Sequence, residues 1–272
     1  MWSLKAWQGR FVAHPLRADE RLRAYATVCN AVEGNTTFYA TPTVETVRSW
    51  SAQTAPDFRF VLKLPKPVTH VFRLAGHPPE LGRFLSVIEP LGERVHALWI
   101  QLPGSFGPGD LPTLAAFLRR LPPHLRYAVE VRDPAFFAAP AALEAVLAEH
   151  DAEWIPFDTT EMFRSAPTSD AERDAWTKKP RMPLRTRALT DRPIVRYLGR
   201  DDVRRTVEGW QRWVEVVAEW LREGRSPTVF LHTPDNAEAP GLARRFHDEV
   251  RARVPDLLPL PEPAPVGPLT LF

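Results

Sequence analysis

The sequence predicts an α/β protein folded as a TIM-like (β/α)8 barrel. Short apolar runs alternate along the chain with segments of helical period, which is the pattern of strand–helix units joined by parallel crossovers. Apolar runs of this length are typical of parallel strands that are buried on both faces. Six of them end in a polar or charged residue: FRFVLKLP, ALWIQLP, YAVEVRDP, EWIPFD, PIVRYLG and TVFLHTPDN.

Two further segments, MWSL at the start and AVEGN at 31–35, complete eight predicted strands, the number that a closed barrel needs. The first strand is expected to be short, either as an edge-like plug or because Met1 is an internal residue of a longer natural chain. Helices are predicted where apolar residues recur at helical spacing. These segments are TVETVRSWSAQT, PELGRFLSVIEPLG, LPTLAAFLRRL, PAALEAVLAEH, VEGWQRWVEVVAEWLREG and APGLARRFHDEVRARV.

The length of 272 residues suits a single α/β barrel, and no linker divides the chain. We predict one domain over 1–254 and a proline-rich tail over 255–272. A net charge of +2 disfavours a general polycation that coats nucleic acid but permits a local basic patch. The only cysteine, Cys29, excludes an intrachain disulfide. No apolar run could span a bilayer and no signal-peptide pattern opens the chain, so we expect a cytoplasmic location and no membrane partner.

Ionisable residues recur at the ends of the predicted strands, where burying an unpaired charge would be costly. Their repetition predicts a shared polar site where the carboxyl ends of the strands meet. Glu33, Glu130 and Asp158 are candidate catalytic carboxylates, for proton transfer or for metal binding. His232 is a candidate catalytic proton shuttle or ligand, although a single histidine after an apolar strand is more often a hydrogen-bonded core residue.

Three basic residues on different predicted strands, Lys63, Arg132 and Arg196, predict a positive pocket that suits a phosphate or carboxylate. Glu130 and Arg132 share one face of their strand, so Arg132 should keep Glu130 ionised; a structural ion pair is the alternative. For Lys63 the alternative is likewise a salt bridge to a neighbouring carboxylate. The candidate substrate-binding residues are Asn35, Lys63, His70, Gln101, Arg132, Arg196 and Asn236.

An ordered set of motifs runs through most of the chain. It comprises VEGNTTFY (32–39), Pro42, Trp50, FRFVLK (58–63), Thr69-His70, QLP (101–103), Ser105-Phe106 and EVR (130–132). Together these motifs closely resemble the YecE-like family, the proteins grouped as domain of unknown function 72, from about Trp2 to Asn236. The resemblance implies a TIM-like barrel and supplies no reaction.

The chain departs from the pattern of that family at three places. Asp133 stands where many members carry His after Glu-x-Arg, and Leu198 where many have Arg-x-His-Gly. The segment HTPDN (232–236) replaces a usual pair of Asn residues. Roles that depend on the two missing histidines therefore do not carry over.

The charged strand ends favour an enzyme that performs acid/base, hydrolytic chemistry on a phosphorylated or other anionic substrate, and a nucleic acid is one such substrate. The alternatives are a non-catalytic nucleic-acid-binding module, a glycosidase-like hydrolase with paired carboxylates, and a ligand sensor. No phosphate loop, dinucleotide fingerprint, HExxH or Gly-x-Ser-x-Gly elbow is present, so no cofactor is expected. A requirement for a divalent metal is the less favoured alternative, since the cations of the pocket would repel a metal ion.

The stretch 159–192 lacks clear periodicity, which is unusual inside a compact barrel. It is predicted to be either a solvated loop or a basic lid that contacts nucleic acid. Its cationic and aromatic residues are Phe163, Arg164, Trp176, Lys178, Lys179, Arg181, Arg185 and Arg187.

The proline-rich tail ends in three apolar residues, Leu269, Leu271 and Phe272. They are expected either to dock on the barrel itself or to form a linear motif for another protein. The ending PLTLF resembles peptides that bind bacterial sliding clamps, with Pro268 at the position of their Gln. A sliding clamp is therefore a candidate partner, besides a small anionic substrate or nucleic acid.

Overall fold

Parallel strands form the centre of the molecule, as the apolar runs predict. The computed structural model describes residues 2–260. The strands are β1 (Ala31–Gly34), β2 (Arg59–Lys63), β3 (Val95–Gln101), β4 (Tyr127–Glu130), β5 (Glu153–Trp154), β6 (Phe157–Asp158), β7 (Ile194–Leu198) and β8 (Thr228–His232). They pair in parallel as a five-stranded sheet, β1-β2-β3-β4-β5, and a three-stranded sheet, β6-β7-β8. The predicted α/β class is confirmed.

Helices occupy all six predicted segments and also form outside those segments. They are α1 (Arg21–Ala26), α2 (Thr36–Tyr39), α3 (Val44–Gln53), α4 (Pro79–Ile88), α5 (Leu111–Arg120), α6 (Ala135–Ala138), α7 (Ala141–Glu149), α8 (Asp170–Lys178), α9 (Val203–Gly209), α10 (Gln211–Arg222) and α11 (Ala239–Arg251). Short 3-10 turns occupy Lys5–Trp7, Glu89–Arg94 and Pro108–Asp110, and a π-helical turn occupies Pro67–Val71.

Local sequence explains several helix ends. Thr43 caps α3, because its Oγ1 accepts a hydrogen bond from the Thr46 amide at 3.2 Å, and Asp202 caps α9 through the Arg205 amide at 3.0 Å. The run VEGWQRWVEVVAEWLREG forms two helices rather than one. The first of them ends at Gly209, where a Cβ atom would lie 2.5 Å from the Tyr197 hydroxyl.

The predicted first strand at MWSL is wrong, since residues 2–4 form no strand. The ring of Trp2 packs edge-on against Trp50 of α3, with centroids 5.2 Å apart, and Trp7 donates from Nε1 to the Asn236 carbonyl at 2.8 Å. The apolar residues of this segment therefore reflect packing on other elements. The eighth strand arises instead because Ile155 and Pro156 divide EWIPFD into β5 and β6.

The two sheets meet along this divided segment. The Ile155 amide donates to the Val129 carbonyl of β4 at 2.9 Å, and the Pro156 carbonyl accepts from the Arg196 amide of β7 at 3.0 Å. On the opposite side, no strand pairing joins β8 to β1 in the described part of the chain, and residues of both strands line a cavity of about 450 Å³. A closed TIM-like barrel is therefore not confirmed.

Side chains of both sheets share one apolar cluster, formed by Val61, Ala97, Trp99, Ala128, Ile155, Ile194 and Phe230. We call the face that carries it the inner face. The alternate residues point outward: Val195 and Tyr197 of β7, for example, pack against Trp213 and Val214 of α10. Because side chains alternate along a strand, the polar strand ends that continue the inner face must converge beside this cluster.

The stretch 159–192, predicted to be irregular, contains α8, which Ser169 caps by accepting from the Glu172 amide at 3.0 Å. Two of its cations pair with Glu144 of α7: Arg185 at 2.7 Å and Arg187 at 2.8 Å. Its amino-terminal part is fixed by Arg200, whose Nη1 donates to the Ser165 carbonyl at 2.9 Å. The stretch is thus attached to the body of the protein, and its role as a lid stays a prediction.

The tail predictions concern Leu269, Leu271 and Phe272, which lie outside the described residues. Within residues 2–260, none of the helices has both the length and the apolar character that crossing a bilayer requires. The cytoplasmic location stays a prediction.

Candidate functional site

Six strands place polar side chains at one end of the inner face. The residues are Glu33 (β1), Lys63 (β2), Gln101 (β3), Glu130 (β4), Arg196 (β7) and His232 (β8). Four of them are the last residue of their strand. Together with Arg132, two residues beyond Glu130, they form what we call the strand-end cluster.

Glu33 links the two sheets within this cluster. Its Oε1 lies 2.9 Å from Lys63 Nζ, and its Oε2 accepts from Arg196 Nε at 3.1 Å and lies 2.8 Å from His232 Nε2. Burial raises the pKa of the Glu33 carboxyl, but the charges of Arg196 and Lys63 outweigh it and hold that pKa well below its usual range. Glu33 is therefore a carboxylate that orients three neighbours.

Lys63 is a buried ammonium group with a shifted titration. Besides Glu33, its Nζ donates to Gln101 Oε1 at 2.9 Å and lies 4.4 Å from the centre of the Trp99 ring. Burial lowers the pKa of Lys63 to about 8, against the opposing charge of Glu33. Lys63 is thus positive at neutral pH and loses its charge under mildly alkaline conditions.

Glu130 and Arg132 form a second ion pair that leaves hydrogen-bonding capacity unused. Arg132 Nε donates to Glu130 Oε1 at 2.7 Å. The Glu130 side chain is fully buried, and its Oε2 has no hydrogen-bond partner among the described residues. Burial raises the pKa of Glu130, but the charge of Arg132, with Lys63 and Arg196, lowers it below its usual value. A buried carboxylate oxygen without a partner marks a position where a water or a ligand can donate.

Two guanidinium groups of the cluster flank one aromatic ring. The Cζ of Arg196 lies 4.5 Å from the centre of the Phe157 ring, and that of Arg132 lies 5.9 Å from it. Each Nε binds a carboxylate, whereas no hydrogen bond to residues 2–260 is found for the terminal amino groups of either arginine. These amino groups are therefore donors suited to a bound oxyanion.

His232 is held in a fixed orientation by a neighbour in the following turn. Its Nδ1 lies 3.1 Å from Asn236 Oδ1, and the Asn236 backbone is fixed by Thr233 and Trp7. Burial lowers the pKa of His232 despite the nearby Glu33, so the imidazole is neutral at pH 7. The neutral ring donates through Nε2 to Glu33 and accepts at Nδ1, with the Asn236 amide turned to donate.

The other predicted binding residues lie at the edge of the cluster. The ring of His70 is 5.0 Å from that of Phe38, and burial together with the charges of Arg132 and Lys66 lowers the pKa of His70 to about 4. Asn35 follows β1, and its side chain does not cap α2. Asn35 is thus not brought into the hydrogen-bonded cluster.

The expectation that Asp158 faces the same site is wrong. Its Oδ2 accepts from Trp213 Nε1 at 2.7 Å, and its Oδ1 accepts from the Thr160 amide at 2.8 Å. The physical reason is the alternation of β6: Phe157 faces the cluster, so Asp158, the next residue, points outward to α10. Asp158 is a fully hydrogen-bonded link between strand and helix.

Sequence reasoning missed three residues of the site. Trp99 and Phe157 form its aromatic floor, and Trp99 could have been found because it precedes Gln101 by two residues on the same face. Lys179 was predicted only as a loop cation. Burial, followed by the charges of Arg196 and Arg132, lowers the pKa of Lys179. Its ammonium group therefore lies within the electrostatic range of the cluster.

The side chains of the site do not form a set of metal ligands among the described residues. Among the described residues, no group of three or more His, Cys, Asp or Glu side chains is arranged to hold a metal ion. Glu33 is occupied by Lys63, Arg196 and His232, which leaves Glu130 as the carboxylate with an open oxygen.

The fold and site define an α/β protein whose parallel strands carry a cluster of paired charges at their carboxyl ends. The chain belongs to the family described as "Protein of unknown function DUF72", whose pattern matches residues 1–266. It is 37% identical over 243 residues to UPF0759 protein YecE of Escherichia coli (strain K12), covering 88% of this chain and 89% of that relative. The resemblance to YecE-like proteins is thereby confirmed.

Solved structures of the same family share the fold. A DUF72 family protein of Thermotoga maritima MSB8 matches with a TM-score of 0.70 at 23% identity, covering 92% of this chain and 96% of that one. Another, from Enterococcus faecalis V583, matches with a TM-score of 0.65 at 16% identity, covering 90% and 92% respectively. At these identities the likeness concerns the fold alone.

Proposed function

We propose that the protein is an enzyme that hydrolyses a phosphate ester at the strand-end cluster. The observation that carries this proposal is the buried Glu130 Oε2, which has no hydrogen-bond partner among residues 2–260, on a carboxylate that pairs with Arg132 and lies within the field of Arg196. A phosphate group accepts from the two guanidinium groups, and a water molecule donates to Glu130.

The charge balance of the site favours an anion. Lys63, Arg132, Arg196 and Lys179 contribute positive charge, while Glu33 and Glu130 contribute negative charge and His232 is neutral. An excess of fixed positive charge over an aromatic floor stabilises a phosphate and the negative charge that its transition state spreads over the oxygens. Burial strengthens each of these interactions relative to water.

The reaction follows from these roles. Glu130 orients the water, whose oxygen attacks phosphorus and whose proton passes to the carboxylate. The ester P–O bond breaks, and the leaving oxygen departs with the electron pair and takes a proton from solvent. Arg132 and Arg196 hold the phosphoryl oxygens, and Glu33 is a positioning residue that keeps Arg196 and Lys63 in place.

A glycosidase-like mechanism is less well supported. Such enzymes need one protonated carboxylic acid beside one carboxylate. The pKa values of Glu33 and Glu130 are both lowered, so both side chains are ionised at neutral pH, and Asp158 points away. The pair therefore lacks the acid that this chemistry requires.

We also infer that the two sheets form a TIM-like arrangement with an open side between β8 and β1. Three features support it: the continuous segment 153–158, the apolar cluster shared by both sheets, and the bonds that Glu33 makes to Arg196 and His232. In such an arrangement the strand-end cluster occupies the usual position of an active site.

The experiment combines calorimetric binding of inorganic phosphate with hydrolysis assays on p-nitrophenyl and bis-p-nitrophenyl phosphate. We expect Glu130→Gln to bind phosphate but to lose about 10²–10⁴-fold in kcat, and Arg132→Gln to lose phosphate binding. Arg185→Gln is a matched control, because Arg185 also pairs with a glutamate and stacks on an aromatic ring, Trp154. Phosphate binding without turnover of any ester would contradict the enzyme proposal and favour a binding module.

A further inference from the structure

Exposed apolar side chains gather beside the strand-end cluster. Tyr39 is 78% exposed, Val71 67% and Phe72 44%. Tyr39 ends α2, which follows β1, and the other two lie in and just after the π-helical turn that follows β2. All three therefore lie beyond the carboxyl ends of adjacent strands, on the side of the site. We call this set, two aromatic rings and one valine, the aromatic shelf.

The two segments that carry the shelf are held firmly. Thr37 Oγ1 lies 2.8 Å from the Gly34 carbonyl and 2.7 Å from the Lys63 carbonyl, which ties α2 to the ends of β1 and β2. The second segment is fixed by Arg73, which donates to Ser105 Oγ at 2.8 Å.

The backbone after the π-helical turn is strained. Arg73 and Leu74 have φ of +48° and +65°, a region that residues with side chains rarely adopt. Leu74 is fully buried while Val71 and Phe72 remain exposed. Strained backbone and π-helical turns concentrate at functional sites, and here they keep apolar side chains in solvent instead of burying them.

The shelf is continuous with the charged site. The ring of Tyr39 contacts that of Phe38 with centroids 5.2 Å apart, and Phe38 contacts His70 at 5.0 Å. His70 in turn lies within the field of Arg132, which helps to lower its pKa. A ligand that spans both regions therefore presents an anionic group to Arg132 and a flat apolar group to Tyr39.

We propose that the aromatic shelf binds the bases of a single-stranded nucleic acid whose phosphate occupies the strand-end cluster. This inference rests on the proposed function and names its substrate class. Every base has a π face that stacks on exposed aromatic rings, and the backbone supplies a phosphate next to each base. Bases in a duplex are already stacked on each other, so a single strand is the form that fits.

The test measures fluorescence anisotropy of a labelled oligothymidylate, of an abasic oligonucleotide of equal length, and of a duplex. We expect the oligothymidylate to bind more tightly than the other two. Tyr39→Ala and Phe72→Ala should each weaken its binding about tenfold and leave abasic binding unchanged. Leu258→Ala, at a side chain that is 80% exposed and outside the shelf, is the control.

Binding of inorganic phosphate separates this inference from the proposed function. If phosphate binds but the oligothymidylate and the abasic strand bind equally in all variants, the shelf inference is wrong and the phosphate site stands. If phosphate itself does not bind, the proposed function fails. Self-association that Tyr39→Ala abolishes, without any change in oligonucleotide binding, would also overturn the inference, because the surface would then be a protein interface.

Discussion

Two Arg–Glu pairs with a fully buried glutamate differ in how many of their hydrogen-bonding groups are used. In the pair of Glu172 and Arg200, Nε donates to Oε1 at 3.0 Å and Nη2 to Oε2 at 2.5 Å. In the pair of Glu130 and Arg132, a single hydrogen bond of 2.7 Å is made, and Glu130 Oε2 has no partner among the described residues.

The surroundings of the two pairs reinforce this difference. Arg200 also donates to the carbonyls of Ser165 and Ala166, each at 2.9 Å, and Glu172 accepts from the Thr168 amide at 2.7 Å. Burial raises the pKa of Glu172, but the hydrogen bonds from Arg200 and the backbone outweigh it and lower the pKa to about 2. A saturated pair fixes a loop, whereas an unsaturated one can bind a ligand.

The largest expected effect is on stability, at the saturated pair. Arg200→Met leaves Glu172 buried without its cation, so the free energy of unfolding should fall by about 3–5 kcal/mol. Urea denaturation measures it. Arg204→Met, which removes an exposed pair with Glu208, is the control and should cost less than about 0.5 kcal/mol. A loss below about 1 kcal/mol for Arg200→Met would show that the larger number of hydrogen bonds does not make this pair more important for stability.

At the unsaturated pair the expected effect falls on binding. Arg132→Ala should abolish measurable phosphate binding, because it removes donors from the site. The free energy of unfolding should fall by only about 1.5 kcal/mol, since Lys63 and Arg196 still stabilise the Glu130 carboxylate. Calorimetry measures the phosphate affinity, and urea denaturation measures the free energy of unfolding. A large loss of stability with unchanged phosphate affinity would identify this pair as structural too.

The titration of Lys63 predicts how anion binding depends on pH. Its pKa is lowered to about 8, so the ammonium charge is present below pH 8 and lost above it. Affinity for sulfate, whose own charge is constant, should fall about tenfold between pH 7 and 9. Lys63→Gln should remove this dependence, whereas Lys179→Gln should retain it. A pH-independent affinity in the wild type would contradict the role of Lys63.

The smallest effect on phosphate affinity is expected at Asp158, which lies outside the cluster. Asp158→Asn should change phosphate affinity less than twofold. The variant keeps one acceptor but weakens the bonds to Trp213 and Thr160, so stability should fall by about 1–2 kcal/mol. An affinity loss as large as that of Arg132→Ala would return Asp158 to the site.

Position along a strand explains what the sequence could predict. Lys63, Gln101 and Glu130 end apolar runs, and because parallel strands end together, their convergence follows from the order of the runs. The prediction that Asp158 faces the site was wrong because both faces of EWIPFD are buried. The apolar pattern therefore does not indicate which residue points inward.

Long-range contacts account for the other misses. Trp2 lies in the predicted first strand, but it packs on α3. Arg200 and Glu172 are far apart in sequence, and nothing local distinguishes them from exposed charges. The aromatic shelf likewise depends on which side of the sheet the segments after β1 and β2 cover.

The most direct test of a phosphate site at the strand-end cluster is a crystal structure of the protein soaked with vanadate, an analogue of the phosphoryl group in transfer. We expect an oxyanion bound by the amino groups of Arg132 and Arg196, with a water or vanadate oxygen within hydrogen-bonding distance of Glu130 Oε2. Vanadate bound elsewhere, with this position empty at saturating concentration, would contradict this expectation.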